Sequence, residues 1–211
     1  MKNKISGLIL ACAVLLSATA SAQVVDIGNL YSTGVDAAAA PLALGTVDNH
    51  WETQINAGGW QSAIQEYTNF CGSCGNIWVN HPIGDDAVAR PLAHPNYIQK
   101  AAPGQKFSWR TKFDLPAEAA LDTVKISYNV GFDDVSRNAL DNGDLTGCNH
   151  TVWVNGTAVA LTATGNNQRT ECAATIPTNA NFVVGQNTLE FRISNLATYY
   201  GFRWEKVAAT Y

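Results

Sequence analysis

The densest set of oxygen donors in the chain is the stretch DDVSRNALDNGD, residues 133–144. Ca²⁺ takes roughly six to eight oxygens from carboxylates, amides and carbonyls. Asp133, Asp134, Asp141, Asn142 and Asp144 supply such donors if the loop folds back on itself. The spacing is not that of an EF-hand. Asp and Asn also serve ordinary turns, so a solvated acidic loop is the competing reading.

Cys71-Gly-Ser-Cys74 is the second constellation. A redox pair needs a thiolate lowered by a helix N-terminus, but Gly75, Asn76 and the strand-like Ile77-Trp78-Val79 follow. Zinc would recruit His81 and His94, whose separation is longer than in zinc knuckles. Cys148 and Cys172 complete an even set beyond Cys12. In an oxidising compartment four cysteines favour two disulfides in one of about three connectivities. The expected pairing is Cys71–Cys74 and Cys148–Cys172, the second closing a predicted hairpin and contributing roughly 3 kcal/mol.

The chain has 6 Trp and 7 Tyr. Apolar sugar faces stack on such rings while amides and carboxylates hold the hydroxyls. Trp109, Trp153 and Trp204 fall in alternating segments and are expected in the core. Trp51, Trp60, Trp78, Tyr67, Tyr97, Tyr199 and Tyr200 fall in or beside loops, and Trp60, Trp78 and Tyr97 are taken as the ligand-binding set. His50, His81, His94 and His150 are scattered. Neither Gly-x-Ser-x-Gly nor His-Glu-x-x-His occurs, so no motif specifies a reaction and no catalytic residue is assigned.

The elements that must position these groups read as short strands. Lys106–Leu115 (KFSWRTKFDL) alternates Phe107, Trp109, Thr111 and Phe113 against Lys106, Ser108, Arg110 and Lys112, a period of two. Thr123–Phe132 alternates through Val124, Ile126, Tyr128 and Val130. In Thr151–Leu161, Asn155-Gly156 between apolar runs predicts a type I′ hairpin. Val24–Tyr31, Trp51–Ile55 and Ile77–Val79 are further strands. Leu189, Phe191 and Ile193 follow a Gly185-Gln186-Asn187 turn, and Phe202, Trp204 and Val207 mark the last strand. No long amphipathic helix is legible. Residues 57–103, rich in Gly, Pro and Asn, read as long decorating loops.

Met1–Ala22 has a basic start at Lys2 and Lys4, an apolar run, and Ala20-Ser21-Ala22. That is the pattern of an exported signal peptide, too short to be an anchor. Cys12 gives a loose lipobox, but apolar residues continue after it. The remainder, residues 23–211, fits one domain. The net charge of −4 becomes more negative without Lys2 and Lys4. Nucleic acid and anionic lipid are therefore poor electrostatic partners, and no second segment suggests membrane insertion. The expected location is secreted, either extracellular or periplasmic.

The opening YSTGVDAAAAPLALGTVDNHW, the central FSWRTKFDLP, VGFDDVSRNALDNG leading into VWVNG, and the closing QNTLEFRISN with GFRWEKV resemble a galactose-binding-domain-like β-sandwich. This is the jelly-roll architecture of many carbohydrate-binding modules. The CGSC insertion has no counterpart in that pattern. The resemblance implies an all-β jelly-roll sandwich of about eight antiparallel strands carrying a long loop insertion. It implies a secreted, lectin-like module for an extracellular or cell-surface glycan, with structural Ca²⁺ as the one cofactor. The alternative is a structural or adhesive matrix or surface-filament protein that self-associates. An exposed sheet edge would mark that alternative.

Overall fold

The computed structural model describes residues 24–65, 88–96, 102–133, 135–136, 150–161, 172–194 and 201–211. They form strands β1 (Val47–Ile55), β2 (Gln61–Gln65), β3 (Leu92–Ala93), β4 (Lys106–Leu115), β5 (Lys125–Asp133) and β6 (Val135–Ser136). These are followed by β7 (His150–Val154), β8 (Thr157–Leu161), β9 (Cys172–Ile176), β10 (Gly185–Ser194) and β11 (Gly201–Thr210). Every pairing is antiparallel. The strand order is β8-β7-β10-β4-β1-β2-β3-β11-β5-β9, with β6 attached to β10. Among the described residues no helix is long and apolar enough to cross a membrane.

The expected all-β class holds, in a coarser form than two stacked sheets. One sheet curls until its end strands β8 and β9 approach each other, giving a nearly closed, barrel-like wall. Short β2 and β3 carry the wall around one side. Both lie inside the region expected to be loop. With only Ala63 and Ile64 as an apolar signal, β2 owes its form to pairing with β1.

Period-two alternation sets the interior. In β4 Phe107, Trp109, Thr111, Phe113 and Leu115 are buried, while Arg110 is partly exposed and Lys112 exposed. Rings from opposite walls meet across the core. Trp109 stacks on Phe202 at 5.2 Å, Phe191 lies 5.2 Å from Phe202, and Trp51 lies 5.6 Å from Trp204. Truncating a buried ring of this kind costs about 3–5 kcal/mol.

Two polar devices fix the wall. Asn155 and Gly156 hold φ of 51° and 79°, the left-handed pair that a type I′ turn between β7 and β8 requires. Asn155 Oδ1 accepts from Thr188 N at 2.8 Å, and its Nδ2 donates to Asn181 O and to Asn187 Oδ1. The hairpin is thereby bound to the entry of β10. At the other end, Asp48 is wholly buried yet accepts N–H bonds from Gly34 (2.7 Å), His50 (2.8 Å) and Trp51 (3.2 Å). The Gly34 bond ties the segment before β1 onto that strand, and the other two lie within β1 itself.

The first expected strand, Val24–Tyr31, is not a regular strand. Val25 and Tyr211 exchange both backbone bonds at 3.1 Å, and Ile27 N donates to Ala209 O. Pairing beside β11 then breaks at Gly28-Asn29 and resumes only where Thr33 N reaches Trp204 O.

Candidate functional site

The outward phase of the same alternation builds a polar face on β7, β10, β4 and β1. Glu190 of β10 stands opposite Trp153 of β7 on one side and Arg110 of β4 on the other. Arg110 in turn stands opposite Glu52 of β1. Glu52 Oε2 accepts from Arg110 Nε at 2.6 Å and lies 3.0 Å from Lys112 Nζ. Arg192 Nε donates to Glu190 Oε1 at 2.7 Å, bridging two positions on one side of the strand.

Each arginine also covers an indole. Arg110 Cζ lies 4.0 Å from the Trp60 ring centroid, and Arg192 Cζ lies 3.9 Å from that of Trp153. Such cation–π contacts contribute about 0.5–1 kcal/mol at partly exposed sites. The result is two Trp–Arg–Glu units on adjoining strands, all partly exposed and all on one outer face. Burial alone would raise the Glu52 carboxyl. The hydrogen bonds and charges of Arg110 and Lys112 outweigh it and hold the group below its ordinary value. Glu52 is thus an ionised acceptor, and each of the two glutamates lies beside a fixed guanidinium donor. That is a pattern suited to vicinal hydroxyls, with indoles beside it for an apolar ring face.

Of the expected ligand set, Trp60 belongs to this face, and Trp78 and Tyr97 lie outside the described residues. Two aromatic assignments change. Trp51, expected near a loop and available, is fully buried, with its Nε1 donating to Tyr31 O. Trp153, expected in the core, faces outward. Val152 and Val154 take the inward phase, so period two sends the residue between them to solvent. Trp109 and Trp204 are core, as expected. Glu52, Arg110, Glu190 and Arg192 were missed as site residues, although the outward phase of β1, β4 and β10 is where such a site would be sought.

Of the expected calcium donors, Asp133 ends β5 opposite Gly201, and Asp134, Asp141, Asn142 and Asp144 lie outside the described residues. Among the described residues no group of three or more His, Cys, Asp or Glu is placed to hold a metal ion. Cys172 is disulfide-bonded and sits opposite Val130. Cys71, Cys74 and Cys148 lie outside the described residues. His94 is buried, which lowers its pKa, and its Nδ1 accepts from Asn96 N at 3.2 Å.

Two further buried groups serve the frame. Burial pushes Asp48 up to about 6, against the opposing pull of its N–H donors and His50. The Tyr128 hydroxyl meets His150 Nε2 at 2.6 Å inside the core, and burial raises its pKa well above the ordinary range. No family model matches this chain, and no curated protein sequence matches it.

Proposed function

We propose that the protein is an exported glycan-binding module, a jelly-roll-type β-sandwich in the finer description of its curled sheet. Its site is the outer face formed by Trp60, Arg110 and Glu52 together with Trp153, Arg192 and Glu190. One observation carries the reading: two half-exposed indoles, each stacked on an arginine that is itself ion-paired to a glutamate, share one sheet face. A core needs no such surface. Isolated surface ion pairs contribute only about 0–1 kcal/mol to stability, so stability alone is a weak reason for the arrangement.

A glycan array probed with the mature protein, with and without EDTA, tests the reading. Trp60→Ala and Trp153→Ala should each weaken binding about tenfold, the loss of one stacking contact of roughly 1–2 kcal/mol. Melting should change little, because both rings lie outside the core. No binding on a broad neutral array, with fibres or cell clustering instead, would replace the reading with the adhesive one. One observation favours that second reading. The strands that end the sheet, Thr157–Leu161 and Cys172–Ile176, contain no charged residue and no proline, the usual guards of a strand edge.

A further inference from the structure

The opposite wall of the molecule carries a second concavity. β5, β9 and β11 enclose an open trough of about 400 Å³ whose outward lining is Ser127, Asn129, Ala173, Thr175 and Val207. Tyr128 and Ala174 form its floor and turn their side chains inward. The register places Ser127 beside Thr175 and Asn129 beside Ala173. A β-bulge between Lys206 and Ala208 lifts Val207 to 58% exposure at the rim.

The lining has a particular chemistry. Ser127 Oγ and Thr175 Oγ1 lie 2.9 Å apart, and Asn129 Nδ2 donates to Glu205 Oε2 through a long, weak 3.3 Å bond. Beside these hydroxyls and this amide stand the methyl groups of Ala173 and Val207. Among the described residues the lining itself carries no ionised side chain and no solvent-facing aromatic ring, and the one carboxylate beside it, Glu205, is engaged by Asn129. An acetamido group has matching needs: a methyl that prefers an apolar contact, next to an N–H and a carbonyl that require partners.

We propose that this trough binds the acetamido group of an N-acetylated sugar. The inference rests on the glycan reading above for its class of ligand, and adds a second site to it. The two sites point in opposite directions. β4 and β10 present their inward rings to β5 and β11, as Trp109 on Phe202 and Tyr128 on Phe191 show, so their outward faces diverge. One molecule then holds two glycan chains and bridges them, and joining sites in this way raises avidity without any new contact.

The test is calorimetry with chitotetraose and cellotetraose, which differ in the acetamido group and not in charge. Wild type should bind chitotetraose at least tenfold more tightly than cellotetraose. Val207→Asp and Thr175→Val, both at exposed positions, should lose about tenfold for chitotetraose with unchanged melting. Affinity within twofold of wild type in both trough variants overturns the proposal, as does no wild-type binding at millimolar chitotetraose. If chitotetraose binding falls in Trp153→Ala but not in the trough variants, the sugar sits on the tryptophan face and the trough is excluded. If Val207→Asp abolishes it while Trp153→Ala changes no glycan on the array, the trough stands and the tryptophan-face reading falls.

Discussion

Asn187 is the most demanding polar position in the wall, and Asn187→Ala tests why. Its side chain is fully buried and its amide is saturated. Nδ2 donates to Val183 O at 2.7 Å and Gly185 O at 2.9 Å. Oδ1 accepts from Val183 N at 2.9 Å and from Asn155 Nδ2 at 2.8 Å. Removing the amide deletes four bonds, each with a net value of about 1 kcal/mol. Bonds that share one amide are not independent, so the expected loss is about 3 kcal/mol rather than the full sum. For a chain of this size that lowers Tm by about 6–12 °C. Asn187→Asp separates hydrogen-bond polarity from volume. It keeps the acceptors but turns both donors into acceptors facing Val183 O and Gly185 O. A buried carboxylate there has a folded pKa raised above its unfolded value near 3.9. The folded state then holds the proton longer, so the Asp variant should gain stability as pH falls through that raised pKa. Urea unfolding followed by tryptophan fluorescence at several pH values measures both. Asn187→Ala within about 0.5 kcal/mol of wild type, the range of ordinary surface changes, would refute the reasoning.

Asp48, pushed up to about 6 against 3.8, keeps its proton in the folded state after the unfolded chain has released it. Wild-type stability relative to Asp48→Asn should therefore fall by about 3 kcal/mol as pH rises from about 4 to 6; a pH-independent difference would show that Asp48 does not titrate there. Non-reducing peptide mapping should join Cys172 to Cys148 and Cys71 to Cys74, and a Cys71–Cys172 peptide would reject both bonds. Ca²⁺ at about 100 times its Kd should raise stability by roughly 2.7 kcal/mol, and Asp141→Ala should abolish the shift; a melt indifferent to EDTA would leave residues 133–144 as a polar loop.

Where a segment pairs along its whole length with regular neighbours, its sequence announces it. Lys106–Leu115 was legible to the residue because all ten positions pair with β10 and, apart from the buried Ser108, alternate between core and solvent. The β7–β8 hairpin was legible from Asn155-Gly156 alone. What escaped was structure imposed from elsewhere in the chain. Val47–His50 extends β1 with Asp48 buried and held by Gly34 N from outside the strand as well as by His50 N and Trp51 N within it, and no local pattern encodes a buried carboxylate. Gly185-Gln186-Asn187, expected to be a turn, opens β10, because Asn187 gathers Val183 and Gly185 and places the turn one step earlier.

The site was half legible for the same reason. Of the two indoles on the candidate face, Trp60 stands out in the sequence as a loop aromatic, whereas Trp153, in an alternating segment between two valines, reads as core until the phase of the strand is fixed. Phase is the better guide here. Val152 and Val154 already occupy the inward positions opposite Phe191 and Leu189, and a third inward ring between them would require the strand to slip by one residue. That slip would bring Val152 and Val154 to the surface and break the bond from Asn155 N to Thr188 O that sets the hairpin. The register that makes the core therefore also places Trp153 beside Arg192. A change that weakened Asn155 should loosen the tryptophan face before it unfolds the wall.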